Sequence, residues 1–211
     1  MKKLRAAIIG YGRSGSSMHA GAIEKNPAME LVAVCDIDPM RLAQARQRFP
    51  SAALYENYRK MLRKEKADIV CIVTRSDQHA AMAIDTLRAG KNALVTKPWA
   101  RNTREALRMM EAAKKNGCRL LPWLPARWGC ALKRISQLVR SNTIGRVFLV
   151  RRAVCSFGTR SDWQTERRFG GGYLLNWGPH IVDPAMQIAG GRVKSVYACL
   201  RQIINPGDVE D

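Results

Sequence analysis

The chain of 211 residues has no C-x-x-C pair, and its six cysteines (Cys35, Cys71, Cys118, Cys130, Cys155 and Cys199) stand far apart. Structural zinc needs clustered ligands, so no metal site is expected. Most of the thiols sit in apolar runs and read as buried free residues in a reducing compartment. No apolar run approaches the roughly 20 residues that cross a bilayer. The amino-terminal MKKLRAAIIGYG is broken by glycine and Arg13 too soon for a signal-peptide core. These absences point to a cytoplasmic protein with no membrane partner. No internal repeat or low-complexity segment interrupts the chain.

Acidic residues are scarce. Asp plus Glu number 17 against 36 Lys plus Arg, a formal charge of +19. Such a balance suits a polyanion, and equally the phosphates and carboxylates of small ligands. The basic residues form no block of five or six and no aromatic–basic motif, so nucleic acid is not the expected partner.

What is present is a strand–helix alternation over the first 120 residues. LRAAIIG, LVAVCD, ADIVCIVT, NALVT and RLLPW read as buried strands. Amphipathic stretches separate them, with start signals at Asp38-Pro39 and at Asn102 or Thr103, and a stop at Gly90. The expectation is a doubly wound parallel sheet covered on both faces. After Pro122 and Pro125 the pattern changes. A helical stretch follows, and then two long β-rich segments, 147–157 and 193–203. The expected domains are 1–122, which would bind NAD(P), and 123–211.

GYGRSG (10–15) is G-x-G-x-x-G between the first strand and its helix, and Asp36 ends the second strand 21 residues after Gly15. Gly10 allows the tight turn, Gly12 lets backbone approach a pyrophosphate, and Gly15 lets helix and strand pack closely. The helix amino terminus offers free N–H groups to phosphates. Asp36 can accept from both ribose hydroxyls and would repel a 2′-phosphate, which favours NAD. Arg13 and Arg41 are near enough in sequence to greet that phosphate, so NADP stays open. A tight βα turn without a ligand is the plain alternative.

GGGYLLNWGPH (170–180) places Asn176 and His180 four residues apart, on one face if helical. With AAIIGYGRSGSSMHA, VAVCDIDP, DIVCIVTRSDQH and AGKNALVTKPWA, in this order, the chain resembles the glucose–fructose oxidoreductase/inositol dehydrogenase (Gfo/Idh/MocA) family. The resemblance implies a Rossmann domain followed by an α/β domain with an open, mostly antiparallel sheet. It implies hydride transfer between NAD or NADP and a secondary alcohol or ketone of a sugar, inositol or related polyol. In the family pattern Lys97 and His180 lie near the reacting oxygen, with Asn176 and Trp163 on the substrate side. Gly10, Gly12, Arg13, Ser14, Gly15, Asp36, Ile37, Thr74, Arg75, His79, Lys97 and Pro98 would line the cofactor, and a cis Lys97–Pro98 bond is implied. His19 matches a family position too.

A base near neutrality suits an alcohol that must lose a proton as hydride leaves, and a lysine can stabilise alkoxide charge. Two departures stand out: Asn176 occupies a position usually held by Asp, and Thr96 replaces a common glutamate. Asn cannot take a proton, so a catalytically impaired cofactor-binding or regulatory module of the same fold remains an alternative. An NAD-dependent glycosidase is another. The family usually runs beyond 300 residues. The second domain is therefore expected to be incomplete, and a homo-oligomer is expected where its sheet is complete.

Overall fold

A computed structural model describes residues 2–156 and 158–211. Two compact units divide the chain, Met1–Trp123 and Leu124–Asp211.

The first unit is a six-stranded parallel sheet in the order β3-β2-β1-β4-β5-β6. Its strands are β1 (Leu4–Ile9), β2 (Met29–Cys35), β3 (Ala53–Tyr55), β4 (Ile69–Ile72), β5 (Asn92–Thr96) and β6 (Leu120–Trp123). The helices are α1 (Ala20–Lys25), α2 (Pro39–Arg48), α3 (Tyr58–Lys64), α4 (Ser76–Arg88) and α5 (Thr103–Lys115).

Alternate strand residues face opposite sides, so the apolar runs feed two cores. Ala7 and Ile9 of β1 join Val70, Ile72, Ala83, Leu87 and Met109 on the face of α3, α4 and α5. Ala6 and Ile8 join Val34, Cys71, Ala20, Ile23 and Ala45 on the face of α1 and α2. Burial pushes the Cys35 and Cys71 thiols up to about 12, which leaves them inert.

Local signals start the helices where they stand in the sequence. The Asp38 side chain accepts from Met40 N at the start of α2, with Pro39 in the first turn. Asn102 accepts from Glu105 N at the start of α5. Strand β3 was not expected. It is a three-residue edge piece pairing only through Ala33–Ala53, Val34–Leu54 and Cys35–Tyr55, too short to show a period.

The second unit differs from the expected sheet. It contains α6 (Cys130–Arg140), α7 (Tyr173–Ala189) and short 3-10 turns at Pro125–Trp128, Trp163–Thr165 and Arg167–Phe169. Among the described residues of 124–211 there is no strand. Phe157, which closes the first expected strand, lies outside the described residues. Both segments have β-type composition, but a ladder needs a neighbour and a cover, and two strands alone are marginal. Their large side chains stand in solvent: Phe148 is 92% exposed and Tyr197 93%. For the same reason Cys155 and Cys199 are exposed rather than buried, as is Cys130 on α6. No described helix is long and apolar enough to cross a membrane.

Candidate functional site

The glycine loop follows β1. Gly10 has φ +93, and a Cβ there would lie 2.6 Å from the Val73 carbonyl oxygen, so glycine lets the turns after β1 and β4 meet. A Cβ on Gly15 would lie 2.0 Å from the Gly10 carbonyl oxygen, which no side chain tolerates. Gly12 is different. A Cβ there meets only the Arg41 guanidinium, 3.4 Å away. Internal packing therefore does not require glycine at 12. From Ser14 to His19 the backbone forms a π-helical turn before α1, a geometry frequent at functional sites. Arg13 precedes that turn and is exposed.

Asp36 follows β2 and is buried, its side chain 4% exposed. One carboxylate oxygen accepts from Tyr11 N at 2.6 Å, and the other from Asp38 N at 3.0 Å. A carboxylate has about four lone-pair sites, so capacity remains for hydroxyl donors. Arg41 lies 3.5 Å from Asp36 and 3.3 Å from Asp38. Its guanidinium thus lies between the acid and the space a Gly12 side chain would enter. Ile37, beside Asp36, is 87% exposed.

Thr74 and Arg75 follow β4, and Arg75 precedes α4. The Arg75 side chain pairs with Asp77 at 3.5 Å. Lys97 and Pro98 follow β5 and are joined by a cis peptide bond. Lys97 is half-buried and Pro98 buried. The strands β2, β1, β4 and β5 are neighbours in that order. Asp36, the glycine loop, Thr74 and Lys97 therefore stand side by side on the carboxyl edge, at the switch point where parallel sheets of this kind bind ligands.

His79 and His19 stand apart from that edge chemistry. His79 on α4 is 1% exposed, and each ring nitrogen lies within hydrogen-bond distance of a backbone carbonyl oxygen. It has no surface to offer a cofactor. His19 closes the π turn, 4% exposed, with its ring centroid 4.4 Å from that of Trp123. Burial pulls its pKa down to about 4. The family resemblance offered His19 a cofactor-shell or structural role, and its contact with Trp123, far along the chain, had no local signal.

In the second unit three glycines lead into α7. Gly170 and Gly172 have φ +71 and +103, and a Cβ on Gly171 would lie 2.4 Å from the Gln164 carbonyl oxygen. The triplet is thus required by the turn itself. Glu210 holds the start of α7: its carbonyl accepts from Tyr173 N at 3.1 Å and its carboxylate from Leu174 N at 2.9 Å. That role had no signal in the sequence, because the two partners are 36 residues apart.

The Asn176 amide nitrogen donates to Gln164 Oε1 at 2.7 Å. Trp163 stands immediately before Gln164, opening a 3-10 turn, and is half-buried. Arg160, Gln164, Asn176 and Glu210 line a cleft of about 10 Å³, room for one water and not for a sugar. His180 is one helical turn further along α7, with its ring 5.5 Å from that of Trp177.

Comparisons with known proteins agree with this geometry. A family model described as "Oxidoreductase family, NAD-binding Rossmann fold" (Gfo/Idh/MocA) matches residues 4–122. The C-terminal domain model of the same family matches 132–211. The chain is 29% identical over 205 residues to D-glucoside 3-dehydrogenase of Escherichia coli (strain K12), covering 92% of the chain and 57% of that protein. It is 32% identical over 205 residues to D-apiose dehydrogenase of Paraburkholderia graminis, covering 95% and 54%. Among solved structures, the WlbA dehydrogenase from Bordetella pertussis, in complex with NADH and UDP-GlcNAcA, superposes with a TM-score of 0.89. It is 28% identical and covers all of this chain and 65% of the other. The chain spans about half the length of the curated relatives it matches. By the match of both domain models to the residues described above, the chain belongs to the Gfo/Idh/MocA family of oxidoreductases.

Proposed function

We propose that the chain carries the nucleotide-binding and catalytic residues of an NAD-dependent oxidoreductase acting on a secondary alcohol or ketone of a sugar, inositol or related polyol. The observation that carries this reading is Gly12. It is free of any packing need for glycine, in a loop whose other two glycines are fixed by contact, with Asp36 at the next strand end. That is a cradle a Cβ would fill, and it fits a pyrophosphate approaching the backbone. Gly10, Gly12, Arg13, Ser14 and Gly15 would hold the phosphates, Asp36 the ribose, and exposed Ile37 the adenine face. Thr74, Arg75, Lys97 and Pro98 would border the nicotinamide. Bound there, the cofactor supplies a hydride acceptor or donor.

The chain's own chemistry is the handling of the matching proton and charge. Lys97 holds the hydroxyl oxygen and stabilises negative charge on it, and His180 takes or returns the hydroxyl proton. Asn176 and Trp163 orient substrate. The buried Asp36 charge opposes a 2′-phosphate, which favours NAD over NADP. Titration with NADH and NADPH, read by energy transfer from tryptophan to the bound nicotinamide, tests this. Saturable binding with NADH preferred is expected. Absence of binding by a folded sample would remove the proposal.

One observation favours a second reading, a cofactor-binding module impaired in turnover. The Asn176 amide is spent on Gln164 beside a cleft with room for one water. Asn176→Asp separates the two readings: a rate gain of about tenfold or more means a lost proton relay, and an unchanged rate means Asn176 only positions substrate.

A further inference from the structure

His79 offers more than packing. Nδ1 lies 2.8 Å from the Pro98 carbonyl oxygen, and Nε2 lies 3.0 Å from the Thr74 carbonyl oxygen. Carbonyl oxygens only accept, so each contact needs its own N–H on the ring. A neutral imidazole has one N–H and an imidazolium has two. Thr96 Oγ1 does not resolve the shortage. It already donates to the Ile72 carbonyl at 3.1 Å and stands 3.5 Å from Nε2, at the limit of a hydrogen bond. A neutral His79 therefore ties either the turn after β4 or the segment after β5, and a protonated one ties both.

We propose that His79 is a positioning residue acting as a one-proton latch between the Thr74 turn and the Lys97–Pro98 segment. Its bearing on cofactor binding rests on the oxidoreductase reading; the latch itself does not. Burial lowers the pKa of His79, against the two carbonyl contacts and the carboxylates Asp77, on its own helix, and Glu105, on α5. The nearby positive charges are Arg101, which is paired with Glu105, and Lys97, which precedes the Pro98 whose carbonyl faces Nδ1. Near neutrality the ring then has one N–H for two carbonyls, and acidification supplies the second.

The two nitrogens can be replaced separately. An asparagine amide reaches about as far as Nδ1, and a glutamine amide about as far as Nε2. In the full chain, His79→Asn is expected to keep the Lys97–Pro98 segment protected from hydrogen exchange. At the acid end, where the ring holds both carbonyls, it should speed exchange around Thr74 by about tenfold, the weight of one lost buried hydrogen bond. His79→Gln should do the reverse, and both should weaken NADH by about fivefold. Equal loosening of both segments by both variants, as simple packing would give, overturns the latch.

Ring-nitrogen NMR on the unsubstituted chain decides the matter even if the variants fail to fold. One protonated ring nitrogen at about pH 7.5, shared between the Thr74 and Pro98 carbonyls, is expected, with a second slowly exchanging N–H appearing only as the pH is lowered. A ring with two N–H groups already at about pH 7.5, or one whose single N–H is bonded to neither carbonyl, overturns the proposal. Failure of the unsubstituted chain to bind NADH would count against the oxidoreductase reading, while the exchange pattern would still decide the latch.

Discussion

Replacing His19 with Phe is expected to make the first unit resistant to mild acid. The ring is 4% exposed, and its Nε2 has no hydrogen-bond partner among the described residues. Burial holds its pKa at about 4, against 6.5 for an ordinary histidine. The unfolded chain therefore takes up this proton near pH 6.5, whereas the folded chain resists until about pH 4. The contribution to stability is complete above 6.5 and is lost as the pH falls from 6.5 towards 4. At about 1.4 kcal/mol per pH unit it amounts to roughly 3 kcal/mol in full, of which roughly 2 kcal/mol has gone by pH 5.

Phe keeps an aromatic ring against Trp123, cannot titrate, and removes the unpartnered nitrogen. Urea unfolding of both proteins at about pH 7.5 and about pH 5, followed by tryptophan fluorescence, gives the difference between them at each pH. Groups common to both proteins cancel in that difference. The variant should gain about 2 kcal/mol on the wild type between the two pH values, and at the higher pH it should be equal or about 1 kcal/mol more stable. Parallel losses in the two proteins would show that the folded chain admits the proton freely and that the burial argument is wrong.

Two further predictions concern the site. Lys97→Ala should lower turnover on an identified substrate by about a thousandfold while NADH affinity stays within about threefold; normal turnover would remove Lys97 from the chemistry. Gly12→Ala and Gly15→Ala should part company. The first meets only a movable guanidinium and should fold normally while losing about tenfold in NADH affinity. The second meets backbone at 2.0 Å and should cost about 3 kcal/mol or more in unfolding free energy.

The first unit was legible because its signals are local. Short apolar runs ending in glycine or aspartate, with Asp38, Asn102 and Gly90 as helix punctuation, need no knowledge of distant partners. The same holds for the glycine loop and Asp36. Strand β3 escaped because three residues cannot display a period. The roles of His19, His79 and Glu210 escaped because each depends on something far along the chain or on the side a ring faces. The second unit shows the opposite failure. Residues 147–157 and 193–203 have the composition of strands, but composition records what a segment could join, and a ladder also needs the neighbour.

Arg41 gives the nucleotide loop an occupant of its own. Its guanidinium is paired with Asp36 and Asp38 and stands 3.4 Å from where a Gly12 Cβ would lie, so under the proposed nucleotide reading a phosphate arriving there would meet an exchange rather than a vacancy. Added salt then acts twice, loosening the half-exposed arginine from its carboxylates while screening the attraction of a basic protein for the anion. The two effects oppose each other, and affinity should depend on ionic strength less steeply than a net charge of +19 suggests.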